Sequence, residues 1–343
     1  MEKKTKKTHS TQQILQTKIA APFASIIQFS KHEALLPENA IVVLGLSGGP
    51  DSVFLLHFLL ELKKRGDITQ IIAAHLDHEW RKESGDDAAF CKQLAEAHGI
   101  PFETLKMSEL ISHTKWNGSK EEIGRNARRM FFESIAKKYG ADAIALGQHA
   151  QDQQETFFIR LLRGTSLTGL CGIWPKRGSY IRPLLQTNKS DILAYLHAHD
   201  ISYLEDPSNV EETFLRNRIR KSVIPALQEA DSRFDVTFEQ TIHRLQETEQ
   251  YLDQHARDLF SQMSSKHTGA IEVSIDALLS QPPIMQSRLI MLWLTQEQVP
   301  FSATQSFIDE LIRFLQSEHG GTHALHPSWQ LKKKQRKAII EKK

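Results

Sequence analysis

The sequence predicts an α/β fold: a parallel sheet with helices on both faces, followed by a mainly helical domain. Three observations carry this. Short apolar runs alternate with helical patterns through the first half of the chain. A glycine-rich turn, SGGPDS, joins the first such run to a strongly apolar helical stretch. After about Asn209 long amphipathic helical patterns take over and strand-like runs become scarce.

The elements follow in order. IVVLGL (Ile41 to Leu46), QIIAAHL (Gln70 to Leu76), PFETLKM (Pro101 to Met107) and AIALG (Ala143 to Gly147) read as strands. Between them, Val53 to Lys64, Gly85 to Gly99 and Ser119 to Gly140 carry apolar residues at helical spacing, and the last two close on glycine. Such alternation implies a parallel sheet buried on both faces. Open sheets of this kind bind ligands beyond the carboxyl ends of their strands. The segments SGGPDS, HLDHEWR and GQHAQDQQET each follow a predicted strand, so they should gather at one edge. Further on, Val236 to Met263 reads as one long amphipathic helix, and PPIMQSRLIMLWLTQEQ and SATQSFIDELIRFLQSEHGG as two more. Only AIEVSI and the final WQLKKKQRKAIIEK look extended there. The expected division is a basic tail and first helix over 1–30, a catalytic α/β domain over 31–225 and a mainly helical domain over 226–343. No internal repeat is visible.

Composition narrows the classes. At 343 residues the chain exceeds a typical single domain. Lys and Arg number 43 against 41 Asp and Glu, so net charge is only +2 and any basic footprint must be local. Cys91 and Cys171 are far apart, which gives neither a metal pair nor a disulfide framework and fits a reducing cytoplasm. No apolar run approaches the roughly 18 residues of a membrane helix. The basic start MEKKTKKTHSTQQ lacks an apolar stretch behind it and reads as a tail, not a signal peptide.

SGGPDS poses the central question. Strand, glycine turn and helix usually cradle a phosphate, yet the lysine of the GxxxxGK[ST] loop is missing. A Ser47-Gly48-Gly49 turn can present successive N–H groups to an anion, and the following helix adds its positive end. Pro50 suits the first helical position. Ser47 and Ser52 can offer hydroxyls, and Asp51 can hold Mg²⁺ that bridges phosphates. The plain alternative is a glycine turn whose Asp or Ser caps a helix.

Strand-SGGxDS-helix resembles the pyrophosphate loop of the N-type ATP pyrophosphatases, the PP-loop proteins. These cleave ATP between the α and β phosphates and transfer AMP to an oxygen of the substrate. The resemblance explains the missing lysine, because the loop would grip a departing pyrophosphate. Downstream segments resemble one family within the group, the tRNA(Ile)-lysidine synthases. They are HLDHEWR (His75 to Arg81), EEIGRNARRMFFE (Glu121 to Glu133), LGQHAQDQQET (Leu146 to Thr156), LLRGTSLTGLCGI, IRPLL and EDPSNVEETFLRNRIR (Glu205 to Arg220). Together they span about residues 40 to 225. Ending near WQLKKKQRKAIIEK, the chain is similar to the short form of the family.

The resemblance implies roles. His75, Asp77 and His78 would line the adenosine pocket, or else simply cap a strand end. Arg125 and Arg128, three apart on one helix face, would meet phosphate or the substrate base; otherwise they are a solvated face. Asp152 would join Asp51 on Mg²⁺, with His149 placing a proton or a phosphate oxygen; its plain alternative is helix capping. Arg163, Arg182, Asn209, Arg216, Asn217, Arg218 and Arg220 would contact tRNA phosphates and base edges; taken alone, the RNRIR run is a solvated face. Glu205 and Asp206 would receive the ammonium group of lysine. The basic end (Lys332, Lys333, Lys334, Arg336, Lys337) either contacts phosphate or forms a solvated strand edge. Four positions depart from the family pattern: Gln148 replaces histidine, Gln151 replaces aspartate, Arg129 stands where tyrosine is common and Ser166 replaces a glycine. The implied reaction uses ATP and Mg²⁺ to join free lysine to C2 of the wobble cytidine in a CAU-anticodon isoleucine tRNA. A cysteine-dependent tRNA thiolase lacks its cysteine pair here. A tRNA binder without chemistry is kept open by Gln148 and Gln151. The sequence leaves oligomeric state open, a homodimer included.

Overall fold

A computed structural model describes residues 22–79, 84–111, 120–205, 215–267, 270–301 and 304–343. The chain divides into two compact units, 1–239 and 240–343.

The first unit opens with α1 (Phe23–His32), β1 (Ala40–Gly45), α2 (Pro50–Arg65), β2 (Ile68–Asp77) and α3 (Ser84–Ala97). It continues through β3 (Phe102–Lys106), α4 (Met107–Ile111), α5 (Lys120–Tyr139), β4 (Ala143–Ala145) and α6 (Ala150–Leu162). Next come α7 (Leu167–Leu170), β5 (Lys176–Arg177), β6 (Tyr180–Ile181) and α8 (Lys189–Ala198). The unit closes with α9 (Leu215–Arg218), a π-helical turn (Ile219–Val223), α10 (Ile224–Ala230) and the start of α11 (Phe234–Met263).

Six strands form one sheet in the order β3-β2-β1-β4-β6-β5. All neighbours pair in parallel except β5, which pairs antiparallel with β6. The β-carbon alternation of β1 explains its run of apolar residues. Val42 and Leu44 pack with Phe54, Leu55 and Phe58 of α2 on one face. Val43 packs with Ala127, Phe131 and Phe132 of α5 on the other. A strand buried on both faces has no place for an outward polar residue, which is why IVVLGL is continuous.

α2 begins with Pro50 at its first turn and ends at Gly66, whose φ of 81° gives the left-handed cap. On the outer side of α2, His57 packs edge-on to His98, with ring centroids 5.4 Å apart. Its Nε2 is buried without a hydrogen-bond partner. Burial, with His98 and His199 nearby, pushes its pKa down to about 4. The unfolded chain therefore binds a proton first as pH falls, so the fold loses stability between about pH 6.5 and pH 4. His57→Gln is expected to flatten that slope in thermal unfolding measured across this window; an unchanged slope contradicts the assignment.

In the second unit, the remainder of α11 is followed by β7 (Ser264–His267), β8 (Ala270–Ser274), α12 (Ile275–Leu279), α13 (Pro283–Gln296) and α14 (Gln305–Gln316). β9 (Gly321–His326), β10 (Trp329–Lys334) and β11 (Lys337–Lys342) complete it. The predicted helices are present, but so is a five-stranded antiparallel sheet, β7-β8-β11-β10-β9. Helices and sheet share a core around Leu289, Trp293, Leu311 and Ile340. The unit is mainly helical, with this small antiparallel sheet beside its helices. β7 (SSKH) and β9 (GTHALH) lack the apolar alternation that would announce a strand.

Ion pairs in this unit occupy much of the basic C-terminal segment. Lys332 pairs with Glu341, Arg336 with Asp276 and Lys337 with Glu272. Lys333 is buried, and its ammonium caps α14 by donating to the carbonyls of Phe314, Leu315 and Ser317. Arg288 and Glu249, both buried, form a two-point pair at 2.5 and 3.0 Å.

Candidate active site

The site forms where β1 hands over to α2. Gly48 has φ of 83°, a conformation that excludes a side chain without strain. A β-carbon there would also lie 2.6 Å from Leu204 Cδ1. The Leu204 N–H donates to the Gly48 carbonyl at 2.9 Å, so the segment before Glu205 braces the loop from behind. Ser52 ties the loop internally. Its Oγ accepts from the Ser47 N–H and hydroxyl, both at 3.1 Å, and donates to the Gly49 carbonyl at 3.0 Å. Ser52 is therefore committed to the loop's shape, whereas Ser47 is exposed at its mouth. The N–H groups of the first turn of α2 have no intrahelical acceptor and face the mouth with the helix's positive end.

α6 supplies the second wall. The Asp152 carboxylate accepts from the His149 N–H at 3.0 Å, a cap that fixes the start of the helix. His149 Nε2 lies 3.7 Å from Asp51 Oδ1 and 3.5 Å from Asp152 Oδ2. The two aspartates predicted as a pair thus flank one buried imidazole. Its Nδ1 is buried without a partner. The approach of α6 to α2 requires Gly147: a β-carbon there would lie 3.0 Å from the Asp51 carbonyl carbon and 3.1 Å from the Ser52 nitrogen.

Glu155, one helical turn beyond Asp152, is fully buried. It accepts from Arg216 Nε at 2.6 Å and Arg220 Nε at 2.5 Å. The two arginines are four apart and so share a helix face. Arg216 also reaches Asp152 at 3.4 Å. Burial opposes the Arg220 charge, but Glu155, Asp152 and Asp51 outweigh it and raise its pKa. Both guanidiniums are partly exposed and reach the acids through their Nε atoms. Asn217 between them is buried and Arg218 is exposed.

The remaining predicted residues are spread around this centre. His75 is buried and donates from Nδ1 to the Leu46 carbonyl at 2.9 Å. Asp77 is buried and accepts from the Glu79 N–H. His78 Nε2 accepts from Arg128 at 2.7 Å. Burial and the Arg128 charge lower the His78 pKa to about 4, so the ring is a neutral acceptor that orients the guanidinium. Arg125 and Arg163 are exposed. Arg182 donates to Gln148 Oε1 at 2.5 Å and to the Trp174 carbonyl at 2.9 Å. Glu205 is exposed at the end of the bracing segment. Asp206 and Asn209 lie outside the described residues, as do Trp80 and Arg81.

Lys189 was not expected. It is the first residue of α8, and its ammonium donates to Asp51 Oδ1 at 2.5 Å. A signal was available, because lysine at a helix N-terminus opposes the macrodipole and wants an acid beside it. Gln151 accepts the Lys189 N–H at 2.9 Å and reaches Asn188 Oδ1 at 3.5 Å. The two glutamines that replace family residues therefore each hold a cation's neighbourhood: Gln148 that of Arg182, Gln151 that of Lys189.

The donor set suits magnesium. Among the described residues no three acidic, histidine or cysteine side chains cluster as a metal cage. Two carboxylates at the mouth of an anion loop are what Mg²⁺ uses when substrate phosphates and water complete its shell.

A parallel sheet that feeds a lysine-free glycine loop into a helix, with carboxylates over that helix's first turn, defines a nucleotide-binding α/β protein. The chain belongs to the PP-loop family, whose domain model matches residues 12–227. It is 37% identical over 295 residues to a tRNA(Ile)-lysidine synthase of Bacillus cereus (strain ATCC 10987 / NRS 248), covering 83% of this chain and 62% of that protein. It is 34% identical over 305 residues to that of Bacillus subtilis (strain 168), covering 87% and 64%. The chain thus spans less than two thirds of the length of these relatives. Among solved structures, the U34-tRNA thiolase NcsA from Methanococcus maripaludis shares the fold. Its TM-score is 0.52 at 18% identity, covering 66% of this chain and 80% of that one. No helix among the described residues is long and apolar enough to cross a membrane.

Proposed function

We propose that this protein ligates free lysine to C2 of the wobble cytidine in the CAU anticodon of tRNA(Ile), using ATP. The observation that carries the reading is the meeting of Asp51, Asp152 and His149 over the SGGPDS loop. The likeness to lysidine synthases over most of the chain selects this substrate among PP-loop reactions.

In this reading the loop N–H groups and the positive end of α2 bind the β and γ phosphates of ATP. Asp51 and Asp152 would hold Mg²⁺, which would supply positive charge against the charge that builds on those phosphates. The C2 oxygen of cytosine attacks the α-phosphorus, a C–O–P bond forms, and pyrophosphate leaves into the loop. The neutral ε-amine of lysine then attacks C2, AMP departs, and a carboxylate or histidine takes the amine's proton. Arg125 and Arg128, the latter oriented by neutral His78, are assigned to phosphate or base contacts. Arg163, Arg182 and Arg218 extend that cationic surface for the tRNA backbone. Glu205 and Asp206 are assigned to the lysine substrate. The cytosine must leave its stack to be reached, which suits a flexible anticodon loop in the cytoplasm. A thiolase reading has no support, since both cysteines are buried and burial pushes the Cys91 thiol up to about 12.

Pyrophosphate release measured with ATP and Mg²⁺ tests the proposal. It should require a CAU-anticodon isoleucine tRNA and be lost when that anticodon is changed. Release that ignores the tRNA contradicts it. Gly147→Ala, which pushes α6 against the Asp51 and Ser52 backbone, is expected to weaken ATP binding about tenfold by displacing the loop. Calorimetric titration with ATP checks this, and unaltered affinity would show that the close approach does not set the loop.

A further inference from the structure

The geometry points to Lys189 as the cation that the SGGPDS loop itself lacks: an ammonium delivered from α8 to the phosphates that the loop holds. This rests on the reading of SGGPDS as a pyrophosphate loop.

Lys189 Nζ sits at 2.5 Å from Asp51 Oδ1, and Asp51 belongs to the first turn of α2, where the loop ends. Its side chain is about one third exposed, with 32% relative accessibility, so the ammonium stands at the mouth and not in the core. The position is built from both ends. Asn188 precedes α8, Gln151 accepts the Lys189 N–H, and Gln151 also reaches Asn188. A carboxylate at position 151 could accept that N–H, but only a carboxamide can also donate to Asn188. Gln151 is therefore a positioning residue for Lys189.

Asp51 carries more than one demand. In this structure its charge is met by Lys189 and by the nearby His149. When the same carboxylate faces a cation bound with the nucleotide, the ammonium is displaced toward the nearest anions, the β and γ phosphate oxygens. A flexible four-carbon stem allows this without moving α8. A P-loop lysine performs an equivalent task from within its own loop. Here the charge arrives from a separate helix, opposite the N–H groups. No covalent step is assigned to it. It binds pyrophosphate before and after the bond breaks.

The test is binding of inorganic pyrophosphate and of AMP, each with Mg²⁺, to the full chain by calorimetry. Lys189→Met is expected to weaken pyrophosphate about 10- to 100-fold, the range of one charge-assisted hydrogen bond. AMP should change by less than about threefold. Lys189→Arg should restore most of the pyrophosphate affinity. Gln151→Ala should weaken pyrophosphate by a smaller factor, because the ammonium remains but loses its seat. Unchanged pyrophosphate affinity in Lys189→Met overturns the proposal and leaves the loop reading standing. Equal loss of AMP and pyrophosphate overturns it too, since that marks a general collapse of the site. Failure of the unaltered protein to bind pyrophosphate at all overturns the loop reading and this proposal together.

Discussion

Asp51→Asn is expected to lower tRNA-dependent pyrophosphate release by at least about 10³-fold, while tRNA binding persists. The size follows from what Asp51 does in this site. Among the described residues it shares His149 with Asp152, and it also faces Lys189. Removing a single preorganised group that stabilises developing charge typically costs 10²- to 10³-fold, and the proposed metal contact would be lost as well. Asparagine keeps the shape and can still hydrogen-bond to Lys189, so the fold should survive. Pyrophosphate assays on the variant, with thermal unfolding as a control, decide the matter. Activity within tenfold of the unaltered protein would remove Asp51 from the reaction.

Glu155→Gln is expected to be the most destabilising single change near the site. Glu155 is fully buried, and each of its oxygens receives one arginine Nε. Breaking a buried ion pair from one side costs about 3 to 5 kcal/mol, because the remaining charge is left uncompensated. Arg216 and Arg220 are 44% and 40% exposed, so solvent recovers part of that, and about 2 to 3 kcal/mol is the expected loss. For a unit of this size that lowers the unfolding midpoint by roughly 4 to 12 °C. Activity should fall as well, since Arg216 also contacts Asp152. A midpoint within a degree of the unaltered protein would show that the two arginines find other partners.

These two residues show what the sequence could and could not convey. Asp51 and Asp152 were legible because a strand and a glycine turn fix where each must lie, and both sit at the start of a helix. Their meeting across His149 follows from the parallel order of β1 and β4. Glu155 stands within LGQHAQDQQET with nothing beside it in sequence to mark its role. Its partners are 61 and 65 residues away, and no local periodicity records such a contact. The family resemblance assigns Arg216 and Arg220 to tRNA, and their charge alone is equally that of a solvated face. Each is partly exposed yet reaches Glu155 with its Nε, a contact that local charge composition does not record. Lys189 was missed because its acid lies 138 residues away. The antiparallel sheet of the second unit was only half visible. β8 and β11 carry apolar alternation, whereas β7 and β9 are polar strands held by the partners beside them.

The glutamines show how a departure from a family pattern can be read physically. Neither can titrate, so neither serves as a base. Each instead accepts from a cationic residue: Gln148 from the Arg182 side chain, Gln151 from the Lys189 backbone.

The most direct measurement is mass analysis of the nucleosides from a CAU-anticodon isoleucine tRNA after incubation with this protein, ATP, Mg²⁺ and lysine. A new nucleoside with the mass of cytidine plus lysine minus water is the predicted result, absent when ATP or lysine is omitted. Unchanged cytidine, with the tRNA still bound, would contradict the account.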